Sequence, residues 1–134
     1  MAGFAVFAVP QAIAATFTVT NTGDTNGVCA VGCSLREAIS AANASAGNDL
    51  IVFNLPLGDT TIAPTSGLTI TDTVTIDGTS VAGYAGGARV VIDGSGAGAV
   101  NGLDVGSGSV IRGLVINGFG NRNVLLSGIG STLA

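Results

Sequence analysis

The sequence predicts an all-β solenoid that carries one short α-helix near its N-terminus, and three observations support this fold class. The chain has 134 residues, of which 47% are hydrophobic, 9% are charged and 22 are glycine. This composition, rich in Val, Ile and Thr, is typical of short strands joined by tight turns. Similar short strands also recur along the chain, and an amphipathic helical pattern precedes them.

Three segments share one strand pattern. They read VTIDG, VVIDG and LVING at 74–78, 90–94 and 114–118, each an aliphatic strand that ends in Asp or Asn followed by Gly. Two further short strands precede glycine, at 103–106 and 124–128. An imperfect period of about 20 residues, made of short strands and glycine turns, indicates a solenoid.

The repeats are expected to bury their aliphatic side chains by stacking them in one interior column, formed by Ile76, Ile92 and Ile116. An antiparallel sandwich is the competing fold, because Asp77 and Asp93, each followed by glycine, suit two-residue hairpin turns. The recurrence of the strands and the helix ahead of them favour the solenoid.

One helix is predicted from residue 34 to about residue 44. Ser34 and Glu37 have the spacing of a capping box, in which each side chain bonds the other residue's backbone N–H. Apolar residues then follow at helical spacing and make a single stripe, namely Leu35, Ala38, Ile39 and Ala42. The helix is therefore expected to lie on an apolar surface.

The two cysteines, Cys29 and Cys33, immediately precede this helix. In an exported protein a closely spaced pair predicts a disulfide. A zinc site is the alternative, but two thiolates without histidine or a second cysteine pair do not supply four ligands. We therefore expect a disulfide and neither a metal ion nor a cofactor.

Residues 1–15 have the composition of a secretory signal peptide. They are apolar or small apart from Gln11, and they end in AIAA, which offers the small residues that signal peptidase reads. The n-region is incomplete, because no Lys or Arg follows Met1. A buried first strand or cap is the alternative. If the segment is removed, the mature chain begins near Ala15 or Thr16.

The helix and its flanks resemble a known sequence family. The segment CSLREAI at 33–39 is followed by AAN at 41–43 and preceded by TVTN at 18–21. Over about residues 16–56 the chain resembles the CSLREA-type N-terminal segment of bacterial exported and cell-surface proteins with a right-handed parallel β-helix of the pectate-lyase-like kind. The resemblance implies a cap that closes one end of that β-helix, and it carries no catalytic residues.

The predicted organisation is therefore a signal peptide at 1–15, a cap with the disulfide and the short helix at 16–56, and right-handed parallel β-helix rungs at 57–134. The last residues, 124–134, are apolar or small and include no closing helix. Because a terminal rung needs a polar or covered face, we expect the β-helix to be truncated and the chain to continue beyond Ala134.

The charge distribution argues against two classes of partner. The net charge is −4, lysine and histidine are absent, and the four cations are scattered: Arg36, Arg89, Arg112 and Arg122. Nucleic-acid binding and anionic membrane surfaces both require clustered cations. After residue 15 no apolar run reaches the length of about 18 residues that a membrane span needs.

Few residues are candidates for chemistry. Asp77 and Asp93 hold equivalent places in the repeat, and paired carboxylates cleave glycosidic bonds. Asn117 fills the third equivalent place, however, and Asp before Gly is ordinary turn chemistry. We treat Asp77, Asp93, Arg89 and Arg112 as weak candidates for ligand contact, and no residue as catalytic.

The predicted function is a non-enzymatic, exported or cell-surface β-helix module with a structural or adhesin-like role, in contact with polysaccharide or a cell-surface glycan. One alternative is the N-terminal part of a polysaccharide lyase or glycoside hydrolase whose active residues lie downstream. A remote alternative is an ice-binding solenoid, because alternating threonines at 69–75 could line one flat face. The predicted location is secreted or at the cell surface.

Overall fold

The computed structural model describes residues 13–106 and 108–134. The predicted signal peptide falls mostly on residues 1–12, which lie outside this described part. The described residues form eleven strands and one α-helix: β1 (Thr16–Val19), α1 (Leu35–Ala44), β2 (Asp49–Phe53), β3 (Thr61–Ile62), β4 (Leu68–Ile70), β5 (Val74–Asp77), β6 (Val90–Asp93), β7 (Leu103–Val105), β8 (Val110–Arg112), β9 (Leu114–Asn117), β10 (Val124–Leu126) and β11 (Thr132–Leu133). Two short 3-10 helices, Gly78–Ser80 and Tyr84–Gly86, lie between β5 and β6.

The described strands are arranged in three parallel sheets. A five-stranded sheet has the order β1-β2-β5-β8-β11, and two three-stranded sheets have the orders β3-β6-β9 and β4-β7-β10. From β2 onward, strands that follow one another in the chain belong to different sheets, so that hydrogen-bonded neighbours are distant in sequence. Each strand pairing in this part of the chain is parallel, and an antiparallel sandwich is therefore not formed.

The predicted right-handed parallel β-helix is wrong. The described residues form three separate small sheets with short strands and one helix, and no closed solenoid or coil. The repeat behind the prediction follows strand pairing only in part. The segments at 90–94 and 114–118 supply β6 and β9, which pair in register, whereas the segment at 74–78 supplies β5 of a different sheet, so Ile92 is in register with Ile116 but Ile76 is not. The sequence separation between paired residues also varies. Val124 pairs with Leu103, whereas Val110 pairs with the more distant Thr75.

The three sheets and the helix contribute to one hydrophobic core. In the five-stranded sheet Ile51, Ile76 and Ile111 are in register, and each is fully buried. Ile92 of β6 and Leu103 of β7 bring the other two sheets to the same cluster and are equally inaccessible. Alternate side chains of β2 and β5 are buried because successive residues of a strand point to opposite faces.

The α-helix covers part of this core. It packs against β1, β2 and β4, and its apolar stripe is buried: Leu35, Ala38, Ile39 and Ala42. None of the helices within the described ranges is long and apolar enough to cross a membrane.

Candidate functional site

The beginning of α1 is fixed by reciprocal hydrogen bonds. The backbone N–H of Glu37 donates to Oγ of Ser34 over 3.1 Å, and the backbone N–H of Ser34 donates to Oε2 of Glu37 over 2.9 Å. Oε1 of Glu37 accepts from the backbone N–H of Gly27 over 3.0 Å, and Oγ of Ser34 donates to the carbonyl of Thr25 over 2.7 Å. Ser34 and Glu37 therefore join the helix to the preceding loop as well as capping it.

Two polar side chains of α1 reach loops that are distant in sequence. Arg36 forms an ion pair with Asp24, with Nε 2.8 Å from Oδ1, and donates from Nη1 to the carbonyl of Gly67 over 3.0 Å. Asn43 donates from Nδ2 to the carbonyl of Thr69 in β4 and accepts from the N–H of Thr71, each over 2.9 Å. These contacts fix the helix over the edge of β4.

The cysteine pair adds a covalent link beside the helix. Cys29 and Cys33 form a disulfide, with their Cα atoms 4.5 Å apart. Cys33 is fully buried in the core cluster, and Cys29 packs against it. Since disulfides persist in oxidising compartments, this bond indicates an extracytoplasmic environment.

Asp77 and Asp93, the carboxylates with similar sequence contexts, are not stacked on one another. Asp77 is in register with Arg112 of β8, whose Nη2 lies 2.7 Å from its Oδ2, whereas Asp93 is in register with Asn117 of β9. Oδ1 of Asp93 accepts from the backbone N–H of Ser95 over 3.0 Å. Oδ1 of Asp77 likewise accepts from the backbone N–H of Thr79 over 3.0 Å, so each carboxylate stabilises the turn that follows its own strand.

Arg89 packs on an aromatic ring, and the threonines at 69–75 are distributed over two strands and the segment between them. The guanidinium of Arg89 lies 4.1 Å from the centre of the Tyr84 ring and donates to the carbonyls of Tyr84 and Ala88. Thr69 belongs to β4 and Thr75 to β5, which lie in different sheets, so the threonines at 69–75 do not line one strand face.

A cleft of about 580 Å³ lies where β9, β10 and β11 form the outer strands of the three sheets. Its lining is mostly aliphatic, with one cation: Leu114, Ile116, Arg122, Asn123, Val124, Leu133 and Ala134. Within residues 13–106 and 108–134 no cluster of three or more His, Cys, Asp or Glu side chains could hold a metal ion.

Sequence reasoning missed three polar residues that the fold depends on. Asp24 and Asn43 connect α1 to the loop that precedes β4 and to β4 itself, and Asp49 is a buried carboxylate at the first position of β2. No local pattern marks Asp24 and Asn43, because their partners at 65–71 are brought near only by folding.

Hydrogen bonding lowers the pKa of several carboxyl groups below their ordinary values. For Glu37 the main cause is the backbone N–H of Ser34. For Asp77 it is the hydrogen bond from Arg112. Burial raises the pKa of Asp24, but hydrogen bonds from Arg36 and Thr65 outweigh it, so that this pKa is also lowered.

These shifts predict acid sensitivity. A carboxyl group whose pKa is lower in the folded state stabilises that state above its unfolded pKa of about 4, and this contribution is lost as the pH falls through the folded value. The free energy of unfolding, measured by urea titration, is therefore expected to be constant above about pH 5 and to decrease below about pH 4. The decrease should be shallower in Asp77→Asn; an unchanged profile in that variant would contradict the assignment.

Comparison with known proteins does not place the chain in a family. A scan against protein-family models, a search of curated proteins and a search of solved structures each find no match.

Proposed function

We propose that this chain is a non-enzymatic, exported or cell-surface module with a structural, adhesin-like role, and that it contacts polysaccharide or a cell-surface glycan. We further propose that residues 33–39 act as a CSLREA-type segment, whose helix covers one end of the core. The disulfide between Cys29 and Cys33 supports export, because such bonds are rare in reducing compartments.

The observation that carries the proposal is that the acidic side chains accept hydrogen bonds within the fold. The chain has eight Asp and Glu residues. Each of them accepts at least one hydrogen bond from the fold itself: Asp24, Glu37, Asp49, Asp59, Asp72, Asp77, Asp93 and Asp104. Groups that are bonded in this way serve to hold turns, strands and the helix, which is the chemistry of a structural module.

Contact with a glycan is supported by polar groups at the end of β5, before β6 and at the end of β8. Tyr84 offers a ring with Arg89 stacked on it, and Arg112, whose side chain is about half exposed, pairs with the mostly buried Asp77. Sugar rings pack on aromatic faces and accept or donate hydrogen bonds at their hydroxyls, so these side chains are the contact residues that we propose.

Fractionation and polysaccharide binding test this function together. The chain is expressed in a bacterium, located by cell fractionation, and then incubated with insoluble cellulose, chitin and pectin, and any released sugars are measured. We expect extracytoplasmic protein, retention on at least one polymer that is weaker in Arg89→Ala, and no released oligosaccharide. Arg122→Ala is the matched control. Cytoplasmic protein, equal retention of the two variants or sugar release that is lost in Asp77→Asn would contradict the proposal.

A further inference from the structure

Asp49 is a buried carboxylate that has no cationic partner among residues 13–106 and 108–134. Its exposed fraction is 1%, and Oδ1 accepts from the backbone N–H of Ala15 over 2.8 Å and from Oγ of Ser45 over 3.2 Å. Oδ2 is buried and has no hydrogen-bond partner in the described part of the chain. An uncompensated buried charge is costly. This carboxylate therefore needs a further hydrogen-bond donor, preferably a positively charged one.

The arginine side chains do not meet that need. The ion pairs found within the described ranges join Arg36 to Asp24 and Arg112 to Asp77. Arg89 lies over Tyr84, and Arg122 lines the cleft beside β9 and β10. The chain contains neither lysine nor histidine. A backbone amine is therefore the remaining source of positive charge.

Ala15 places its nitrogen at this carboxylate. Besides donating to Asp49, Ala15 accepts from the backbone N–H of Leu50 at its carbonyl over 2.9 Å, so its position beside β2 is fixed from both sides. Strand β1 begins at the next residue. Ile13 and Ala14 are exposed and Ala15 is partly so, which places the Ala14–Ala15 peptide bond at the surface.

We infer that the Ala14–Ala15 bond is a processing site, and that its hydrolysis creates an α-ammonium group at Ala15 that forms a buried ion pair with Asp49. A peptidase of the signal-peptidase class adds water across this bond. Ala14 leaves as a carboxylate, and the nitrogen of Ala15 gains protons and becomes an ammonium. The small residues Ala12 and Ala14, at positions −3 and −1 relative to this bond, suit such an enzyme.

The ammonium group of Ala15 supplies the hydrogen-bond donor that Oδ2 of Asp49 lacks in the uncut chain. An amide nitrogen has one N–H, which already bonds Oδ1, whereas an ammonium has three and carries a positive charge. We expect one of its additional donors to bond Oδ2, which would remove the unpaired buried acceptor. Removal of the leader would thus stabilise the mature fold, so that the chain reaches its full stability only after export. The inference rests on the export that we propose above, but the ion pair is testable without it.

Because the chain has no lysine, no side-chain amine competes with the α-amine in the test. The chain that begins at Ala15 is released from a cleavable N-terminal fusion, and an amine-selective acetylating reagent then modifies its α-amine as the one amine present. The free and the acetylated forms are compared by urea unfolding, both in the parent chain and in Asp49→Asn. Asp59→Asn, an exposed carboxylate variant, is the matched control.

Acetylation is expected to lower the folding equilibrium constant of the parent chain by about tenfold or more, as for loss of a charged hydrogen bond. The effect should persist in Asp59→Asn and be much smaller in Asp49→Asn. The amine of the folded parent should also react more slowly with the reagent than that of the urea-unfolded chain, a readout that needs no folded variant.

Equal stability of the free and acetylated forms, or an amine that reacts equally fast in the folded and unfolded chain, would overturn the ion pair. N-terminal sequencing of the exported protein completes the test. A first residue of Ala15 supports the processing site, and any other first residue overturns it. Neither result depends on polysaccharide binding, so failure of this inference is distinguishable from failure of the proposed function.

Discussion

Replacing Ile76 by alanine is expected to lower the free energy of unfolding by about 2–5 kcal/mol. Ile76 lies in the middle of β5, is fully buried and is in register with Ile51 on one side and Ile111 on the other. The substitution removes buried apolar surface and leaves a cavity that its close neighbours fill only in part. Urea unfolding followed by circular dichroism measures the loss.

Ile129→Ala is the matched control for this prediction, because Ile129 is 92% exposed. It should change the free energy of unfolding by no more than about 0.5 kcal/mol. If Ile76→Ala does not fold, Ile76→Val should still lose about 0.5–1.5 kcal/mol. Equal losses for Ile76→Ala and Ile129→Ala would show that the β5 side chain does not belong to the core.

Gly78→Ala is expected to cost about 3 kcal/mol, because the added methyl group has no room. A Cβ at this position would lie 2.3 Å from the carbonyl oxygen of Gly113 and 2.5 Å from Cδ2 of Leu114. Gly113 separates β8 from β9, so the turn after β5 lies directly against the turn after β8. Because the first contact is with backbone, relief requires the two turns to move apart.

Gly96→Ala provides the comparison for Gly78→Ala, since a Cβ there meets no atom within 4 Å. We expect a change of no more than about 0.5 kcal/mol for this control in the same unfolding experiment. A Gly78→Ala variant as stable as Gly96→Ala would mean that the two turns do not approach each other as described.

The helix was the element that the sequence predicted most accurately. The capping pattern of Ser34 and Glu37 and the apolar spacing are local signals, and α1 spans Leu35–Ala44, close to the predicted range. The cysteine pair was readable for the same reason: four positions of separation bring the two sulfur atoms within bonding range. Local chemistry fixes such features before any long-range contact forms.

Strand pairing could not be predicted from local sequence in the same way. The segments that contain Asp77 and Asp93 have almost the same sequence, yet they belong to different sheets and pair with β8 and β9 respectively. Which strands pair depends on the lengths and conformations of the loops between them, and the periodic pattern of side chains does not encode that choice. The closed β-helix was inferred from a repeat of three segments, of which those at 90–94 and 114–118 pair with each other and the one at 74–78 pairs elsewhere.

The long-range polar contacts of the helix were likewise not predictable from local sequence. No local pattern marks Arg36 as a link to other loops, but it bonds Asp24 and the carbonyls of Ser66 and Gly67. Likewise, no local pattern marks Asp49 as buried beside Ala15, since that contact joins residues 34 positions apart. Contacts of this range arise from the parallel pairing of β1 with β2.

Methyl and Hα nuclear Overhauser spectroscopy on the isotope-labelled protein tests the arrangement of three parallel sheets around one core most directly. We predict cross-peaks between the in-register side chains Ile76 and Ile111, and between Ile92 and Ile116. Strong Hα–Hα cross-peaks between β5 and β6, as in an antiparallel hairpin, would contradict this arrangement.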